Sequence, residues 1–278
     1  MSNETVSALD RGLALMKCFN DSRRVLSPTE LSRLTGIPRP SVVRLAATLQ
    51  QHRWLQPEPE GDGYMLGAGV VALAQTFLAG LDVRAAARPL MQECADRIGG
   101  SVYLALRDGL ELVIIEACRS RSAMLAARID VGSRLPMPNS ASGRAYLAAL
   151  AEVERQALLD SLQRTFRKEW KSLAAGLDAA LAEHSAHGWC TAMGSFHGDI
   201  NSLSVALREP RGQVIVLNCG GPAFAFTAER LRQDVAPALQ DLARRVVDAI
   251  GGTPVWTAYR GSNKTADRAP PRARRKAA

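Results

Sequence analysis

No stretch of this sequence is apolar for long enough to cross a membrane. A bilayer-spanning helix needs about 20 consecutive apolar residues, and no run in the 278 residues approaches that length. Residues 1–10 contain the acids Glu4 and Asp10 but no basic residue, which is unlike a secretory signal. We therefore expect a cytoplasmic protein that has no membrane partner.

Cysteine pairs and aromatic side chains are also scarce. The 5 cysteines are irregularly spaced and form no Cys-x-x-Cys pair, so neither a disulfide framework nor a structural zinc cluster is expected. We expect no cofactor. Aromatic residues make up only 5% of the chain, so the core must be built mainly from leucine, valine, isoleucine and alanine.

The signatures of common enzyme classes are missing. The sequence contains no Gly-x-Ser-x-Gly turn of a hydrolase nucleophile and no glycine-rich phosphate loop. Cys190 follows His187 by three residues, but a nucleophilic site also needs an orienting acid. We predict that the protein is not an enzyme, and a cysteine or serine hydrolase is the alternative that these absences disfavour.

One group of residues has the spacing of metal ligands. His184, His187 and Cys190 lie close together in sequence, and His197 follows them. Gly188 interrupts the predicted helix between them, so a shared face is not assured. We expect no metal and regard polar residues at a helix end as the simpler interpretation.

The positive charge is concentrated at the end of the chain. The net charge is +8, and residues 253–278 hold seven basic residues against one acid, Asp267. This segment is rich in proline and alanine and has few large apolar side chains, which is typical of a disordered basic tail. Residues 1–252 carry only about +2, so the charge of the whole chain says little about nucleic-acid binding.

The first 66 residues predict three helices and a hairpin. Ser27-Pro28-Thr29-Glu30 is typical of a helix start with a capping box, and Gly36 is a typical helix end. A third helix is predicted over residues 41–51, and alternating residues within 54–66 predict two short strands around a turn at 61–63. This order of elements is a winged helix-turn-helix.

The same segment carries a local excess of positive charge. Between Arg11 and Arg53 there are eight basic residues and two acids, Asp21 and Glu30. Clustered lysine and arginine on a helix-turn-helix favour binding to the phosphates of DNA. A winged helix that binds a protein partner is the alternative.

The rest of the chain predicts an α+β domain. Residues 102–106 and 110–117 alternate like two strands joined at Asp108-Gly109, and residues 203–207 and 214–217 form a second pair. A further strand is expected at 124–129. Helices are predicted over residues 83–98, 139–150, 153–162 and 171–186, and from Thr227 onward. Strands that are flanked by helices favour an antiparallel sheet.

A series of short motifs occurs in order along the chain. They are Thr29-Glu30-Leu31, Thr35-Gly36-Ile37-Pro38, Ser41-Val42-Val43-Arg44-Leu45, Tyr64-Met65-Leu66-Gly67, Gly132-Ser133-Arg134-Leu135-Pro136-Met137, Ser142-Gly143-Arg144-Ala145, Gly188-Trp189 and Gly221-Pro222. Together they resemble the isocitrate lyase regulator (IclR) family of bacterial transcription regulators, and the resemblance runs from about Thr5 to Gly252.

The resemblance implies a domain plan and a set of partners. A winged helix-turn-helix domain would occupy residues 5–67, with the helix-turn-helix itself at 29–48, followed by a helical linker at 68–80. A GAF-like effector domain, an antiparallel sheet flanked by helices, would occupy residues 81–252 and precede the basic tail. Family members are homodimers or homotetramers that repress or activate genes, bind operator DNA and respond to a small molecule. The first helix supports their dimerisation.

The DNA contacts are expected on the third helix. The N-terminal residues of such a helix enter the major groove, where base edges can be distinguished. The candidate contacts are Arg39, Pro40, Ser41, Val42 and Arg44, with Arg53 at the base of the hairpin. Ser41 can donate to a phosphate, and Arg44 can bind a phosphate or a guanine edge.

The wing carries the wrong charge for DNA. Glu58, Glu60 and Asp62 would be repelled by phosphates. We expect this wing to make few contacts or to point away from the duplex.

The family's ligand contacts can be carried onto matching positions in the second domain. They are Met124, Ala127, Ala141, Ser142, Ser202, Asn218 and Gly220. Ser142, Ser202 and Asn218 can hydrogen-bond a carboxylate or carbonyl, and a helix start near Ser142 favours an anion. The resemblance therefore implies an organic acid as effector. Ordinary core packing or helix capping is the alternative role for each residue.

Overall fold

The chain divides into two compact units, Met1–Leu81 and Asp82–Ala278. The computed structural model describes residues 6–20, 22–121 and 129–256. Each unit has its own apolar core, so each is described by itself.

The first unit has four helices and a small antiparallel sheet. Its helices are α1 (Ser7–Met16), α2 (Pro28–Thr35), α3 (Arg39–Gln51) and α4 (Gly69–Ala79). Its strands are β1 (Val25–Leu26), β2 (Leu55–Pro57) and β3 (Tyr64–Leu66), in the order β1-β3-β2. The predicted winged helix-turn-helix is confirmed, and β1 is a strand that the sequence pattern did not reveal.

The ends of α2 and the start of α3 follow from local chemistry. The Ser27 side chain accepts a hydrogen bond from the Glu30 backbone N–H, and the Glu30 carboxylate accepts one from the Ser27 N–H. Gly36 ends α2 in the left-handed conformation, with φ of 71°. The third helix begins two residues earlier than predicted, because proline is tolerated in the first turn, where its missing N–H has no intrahelical partner.

The second unit is built around a seven-stranded antiparallel sheet. Its strands are β4 (Ser101–Asp108), β5 (Glu111–Arg119), β6 (Arg134–Pro136), β7 (Cys190–Met193), β8 (Ile200–Arg208), β9 (Val214–Pro222) and β10 (Thr253–Pro254). The order across the sheet is β10-β8-β9-β4-β5-β6, and β7 also pairs with β8. The predicted α+β class with an antiparallel sheet is confirmed.

Helices cover both faces of this sheet. They are α5 (Asp82–Ile98), α6 (Ala141–Ala148), α7 (Glu152–Thr165), α8 (Trp170–His187), α9 (Ala228–Arg230) and α10 (Ala236–Ile250). Alternate strand residues point to opposite faces. Tyr103 and Ala105 therefore pack with α6, α7 and α8, and the intervening side chains face α5 and α10.

The last helical region contains an irregular turn. Thr227 caps α9, as predicted, by accepting a hydrogen bond from the Arg230 N–H. Residues Leu231–Val235 then form a π-helical segment before α10 begins. The irregular segment therefore lies directly after Arg230.

The structure corrects one predicted boundary, and one predicted strand lies almost entirely outside the described residues. Residues 253–256 are part of the fold, because Thr253 and Pro254 pair with β8 and Trp256 is buried. The prediction of a disordered tail from residue 253 is therefore wrong for these four residues. The strand predicted at 124–129 lies outside the described residues except for Ile129, and β6 lies just beyond it.

The approach of α6 to the preceding segment requires a glycine. A Cβ atom at Gly143 would overlap the backbone of Met137. We expect Gly143→Ala to lower the free energy of unfolding by roughly 1–3 kcal/mol, the usual cost of overpacking a core. Thermal unfolding followed by circular dichroism would measure it.

Gly198→Ala is the matched control, because nothing lies within 4 Å of a Cβ at Gly198. It should change stability by less than about 0.5 kcal/mol. Equal stability of the two variants would show that the close contact at Gly143 is unimportant.

Candidate functional site

The N-terminal turns of α3 present free positive charge. Arg39, Pro40 and Arg44 are exposed, and Ser41 is partly buried. Neither arginine forms an ion pair with any residue that the structure describes. The helix therefore offers two unpaired guanidinium groups close to its positive end.

Val42 is not on this surface. Its side chain is fully buried and packs with Leu31 and Ile37 in the core of the first unit. The prediction that Val42 is exposed for DNA contact is wrong, because the helical period turns this position toward α2. Val43 is 40% exposed and is the outward-facing valine of the pair.

The wing keeps its negative charge at the surface. Glu60 and Asp62 are exposed, and Glu58 is partly buried with its backbone N–H bonded to the Gly63 carbonyl. At its base Arg53 is exposed and has a φ of 59°, in the left-handed region. Arg53 is thus a third exposed cation, and it lies beside an acidic hairpin.

The second unit contains a cavity of about 450 Å³ on the sheet face that α6 covers. Its floor is a row of residues paired in register across five strands. From β7 to β5 the row is Ala192, Ser202, Gly220, Ser101 and Arg119. All five residues line the cavity. Antiparallel pairing thus brings distant parts of the chain into one site.

Gly220 lies at the centre of this row. A Cβ at Gly220 would lie 2.6 Å from the Asn201 carbonyl oxygen and 2.6 Å from the Ser202 Cβ. A side chain at this position is therefore excluded by the closeness of β8. Because Gly220 has no side chain, the floor of the cavity is open between Ser202 and Ser101.

A buried group of hydrogen-bonded polar side chains lies next to this row. The Ser142 and Ser204 hydroxyls are 3.3 Å apart, and the Asn218 side-chain N–H donates to the Ser204 Oγ over 2.8 Å. Ser142 is fully buried. Its hydroxyl is therefore already bonded within the protein, and Ser202 is the more accessible hydroxyl.

The structure brings most of the predicted effector contacts together. Ala141, Ser142, Ser202, Asn218 and Gly220 all line the cavity. Met124 and Ala127 lie outside the described residues. Ligand contact by any of these residues stays a prediction.

The aromatic and charged residues of the described lining escaped the sequence analysis. They are Tyr103, Arg119, Phe196, Phe226 and Arg230. Counting the register of the β4–β5 hairpin from its turn would have placed Cys118 opposite Ser101, and an irregularity between Leu104 and Ala105 shifts the pairing by one residue to Arg119. No local pattern signals Arg230, because its place depends on the fold of the segment after β9.

The two arginines of the cavity differ in their surroundings. Arg119 lies 3.2 Å from the Asp130 carboxylate and donates to the Ile129 carbonyl. Arg230 donates to the carbonyls of Ala225 and Ile98 and lies over the Phe226 ring at 4.4 Å. The described lining includes no acid, so the cavity is electropositive. Burial raises the pKa of the Tyr103 phenol, which therefore stays a neutral hydroxyl.

Comparison with known families accounts for both units. The family model described as IclR helix-turn-helix domain matches residues 8–59, and the model described as Bacterial transcriptional regulator IclR C-terminal matches residues 75–248. The chain belongs to the IclR family. The resemblance seen in the short motifs is thereby confirmed, and the protein is a DNA-binding transcriptional regulator of this family.

Individual relatives agree with this IclR assignment. The chain is 28% identical over 244 residues to the HTH-type transcriptional regulator TsaQ1/TsaQ2 of Comamonas testosteroni, covering 87% of each chain. The crystal structure of an IclR-family regulator from Brucella abortus has a TM-score of 0.81 at 34% identity, covering 90% of this chain and 94% of the other.

A third comparison concerns a ligand-bound structure. An IclR homologue from Microbacterium hydrocarbonoxydans, solved with 4-hydroxybenzoate, has a TM-score of 0.69 at 20% identity. It covers 88% of this chain and 99% of the other, so it shares the fold.

The residues with metal-ligand spacing do not converge in this IclR fold. The His184 ring nitrogen bonds the Val255 carbonyl, His187 stacks on Trp189, and the Cys190 thiol donates to the Ala180 carbonyl. The part of the chain that the structure describes contains no group of three or more His, Cys, Asp or Glu side chains able to hold a metal.

The alternative of a hydrolase gains no geometric support. Cys190 is fully buried, whereas His187 is exposed and engaged with a tryptophan ring. Ser142 bonds another serine rather than a base. The relatives found are transcriptional regulators.

The apolar length of the helices in the described ranges is limited. No single helix there is long and apolar enough to cross a bilayer, and the consecutive helices α4 and α5 reach that length and apolarity only when taken together.

The thiols should differ sharply in reactivity. Burial raises the pKa of Cys190 and Cys219, and Cys94 and Cys118 are also buried, whereas Cys18 is partly exposed. Because the thiolate is the reactive form, we expect a disulfide reagent at mildly alkaline pH to label Cys18 first in the native protein.

Mass spectrometry after timed labelling would identify the modified residue, with urea-unfolded protein as the control in which all 5 cysteines react. Rapid labelling of Cys190 in the native protein would reopen the possibility of a nucleophilic site.

Proposed function

We propose that the exposed start of α3 reads operator DNA in the major groove and that a small organic acid in the cavity of the second unit controls this binding. The observation that carries the DNA contact is the pair of exposed guanidinium groups of Arg39 and Arg44, which form no ion pair with a described residue. Both lie within the segment that the helix-turn-helix family model matches.

Each residue of this turn has a distinct role in the proposal. Arg44 can form a two-pronged contact with a guanine or a phosphate, because its guanidinium donors are planar. Arg39 lies about one and a half turns earlier and binds the DNA backbone. Ser41 and the backbone N–H groups of the first turn bind a phosphate oxygen. Pro40 lies on the exposed face, where it can contact a base or sugar.

The wing limits how the duplex lies. Glu60 and Asp62 are exposed acids, and a phosphate close to either would be repelled. The duplex is therefore held by α3 and by Arg53, and the tip of the wing lies away from the phosphates. A sequence-specific contact of this kind relies on base edges more than on a broad cationic surface.

The operator-bound form is a dimer or a higher homo-oligomer. Val6, Leu9 and Leu13 of the α1 region are 68%, 63% and 42% exposed, and Phe77 of α4 is 56% exposed. Exposed apolar side chains at helical spacing are covered in solution by a second apolar surface. A second copy of the chain supplies one, and two-fold symmetry then presents two recognition helices to a pseudo-palindromic operator.

The cavity supports the effector role of the second unit. Its volume of about 450 Å³ lies in the range of small-molecule sites. Its walls are largely apolar, with a few polar groups that include Ser202 and Asn218. The effector controls transcription by binding two states of the protein with different affinity.

Arg44→Ala should weaken binding to a cognate duplex by about 1–3 kcal/mol, because it removes one base or phosphate contact. The duplex would be selected by the wild-type protein from a random pool, and affinity would be measured by fluorescence anisotropy over a range of salt concentrations. A loss that is uniform across sequences, with a shallower salt dependence, would assign Arg44 to a phosphate.

Arg167→Ala is the matched control, because Arg167 is an exposed arginine of the second unit. It removes the same charge and should leave DNA affinity within about twofold. Undiminished affinity of the Arg44 variant would remove Arg44 from the interface. Failure of the wild-type protein to select or bind any duplex at low salt would favour the protein-interaction alternative.

Leu9→Glu should weaken self-association, because it places a charge on the exposed apolar face of α1. Sedimentation velocity would detect the smaller species. Val153→Glu is the control, since Val153 is 83% exposed on α7 of the other unit. A wild-type monomer, or an unchanged oligomer of the Leu9 variant, would contradict the proposed interface.

A further inference from the structure

Among the described residues, two arginines and one acid set the charge of the cavity. Arg119 and Arg230 line the cavity, and Asp130 lies 3.2 Å from the Arg119 guanidinium. Asp130 therefore offsets the charge of Arg119. Arg230 forms no ion pair with any described residue, and its acceptors are backbone carbonyls. One positive charge at the cavity thus lacks an anionic partner.

The position of Arg230 is fixed by several contacts. It donates to the Ala225 carbonyl at 2.8 Å and to the Ile98 carbonyl at 2.5 Å, and its guanidinium lies over the Phe226 ring. Phe226 is itself held tightly, because Gly100 and Gly221 leave room for its ring where any Cβ would overlap it. The guanidinium is therefore held in place before a ligand arrives, which favours tight binding.

Neutral carbonyls do not use the full capacity of a guanidinium. Arginine has five N–H donors, and only two hydrogen bonds from the Arg230 side chain are formed in the described structure. A carboxylate can accept two parallel bonds from the same group, and such charge-assisted bonds are about twice as strong as neutral ones. An anion in the cavity can thus accept from the N–H groups of Arg230 that no described carbonyl uses.

The rest of the lining is suited to an apolar body. Tyr103, Phe196 and Phe226 contribute aromatic surface, and Ile129, Leu135 and Ile200 contribute aliphatic surface. Tyr103 and Ser202 each offer a neutral hydroxyl. No described lining residue is a lysine, a histidine or an acid, so a second charged group on the ligand would have only Arg119, which Asp130 already pairs.

We propose that Arg230 is the residue that recognises the charge of the effector, and that the effector is an organic acid with a single carboxylate and an apolar, ring-sized body. This inference rests on the proposed effector role of the cavity, and it names both the anchor and the ligand class. Ser202 and Tyr103 lie on the floor and select among acids by hydrogen bonding to the body of the ligand. Arg119 contributes less to binding of the effector, because the Asp130 carboxylate competes with the effector for its guanidinium group.

The test compares acids with their neutral amides on the purified full-length protein. The probes are benzoate, cyclohexanecarboxylate and hexanoate, the three matching carboxamides, and the dicarboxylate terephthalate, each titrated by calorimetry up to millimolar concentration near neutral pH. For at least one monocarboxylate, the affinity should be about tenfold or more above that of its amide, since charge-assisted hydrogen bonds contribute at least that factor to affinity. The dicarboxylate should bind more weakly than benzoate.

Arg230→Gln should abolish the preference for acid over amide, because glutamine keeps hydrogen-bonding capacity without the charge. Arg230→Lys keeps the charge without the fork and should retain part of the preference. Arg232→Gln is the matched control, since Arg232 is exposed two residues away and lies outside the described lining. It should behave as the wild type. Arg119→Gln should reduce affinity by a smaller factor than Arg230→Gln.

Three results would overturn the proposal. They are equal binding of acids and amides, an acid preference that survives in folded Arg230→Gln protein, and no binding of any monocarboxylate in the panel. Folding of each variant would be checked by its thermal transition, and the Arg230→Lys variant provides a second measurement if Arg230→Gln is unstable.

A parallel DNA measurement separates this inference from the proposed effector role. If an acid binds through Arg230 but leaves operator affinity unchanged, the anchor stands and the effector role fails. If neutral or dianionic compounds bind more tightly than the monocarboxylates and change operator affinity, the effector role stands and the Arg230 anchor fails.

Discussion

The register of the antiparallel sheet is the constraint on which the second unit depends. Because side chains alternate between faces, a slip of one residue in any strand would send its cavity residues to the opposite face. Ser202, Gly220, Ser101 and Arg119 come from four strands and meet only because those strands pair as they do. The same register places leucine, valine and cysteine side chains against α5 and α10 on the other face. Stability and ligand site are therefore two outcomes of one pairing pattern.

Much of the fold could be predicted because it depends on local chemistry. The capping box at Ser27 and Glu30, the left-handed Gly36 and the Thr227 cap each act within four residues. The short motifs then identified the family and thereby five residues of the cavity. The edge strands β1 and β10 were missed because a two-residue strand leaves too short an alternation to recognise. Arg230 was missed because its position depends on contacts with Ile98, over one hundred residues earlier.

The wrong prediction for Val42 shows that the helical period must be applied to each position of α3. A helix that is anchored in a core turns roughly every third or fourth residue inward, even in its most exposed turns. Val42 is one of these inward positions, and it lies between Ser41 and the outward-facing Val43. The exposed surface of α3 is consequently discontinuous in sequence. A family motif specifies both sides of the helix and does not separate exposed residues from packing residues.

The π-helical segment Leu231–Val235 lies between Arg230 and the regular helix α10. Such a segment holds about one residue more than a regular turn, so everything before it is rotated by about 100° relative to an unbroken α-helix. Arg230 stands on the rotated side, whereas the apolar stripe of α10 stands on the other. Leu231 and Val235 of this segment are fully buried, so the irregular turn is also part of the core. A change in the length of the segment would therefore alter the lining of the cavity and the packing of the core together.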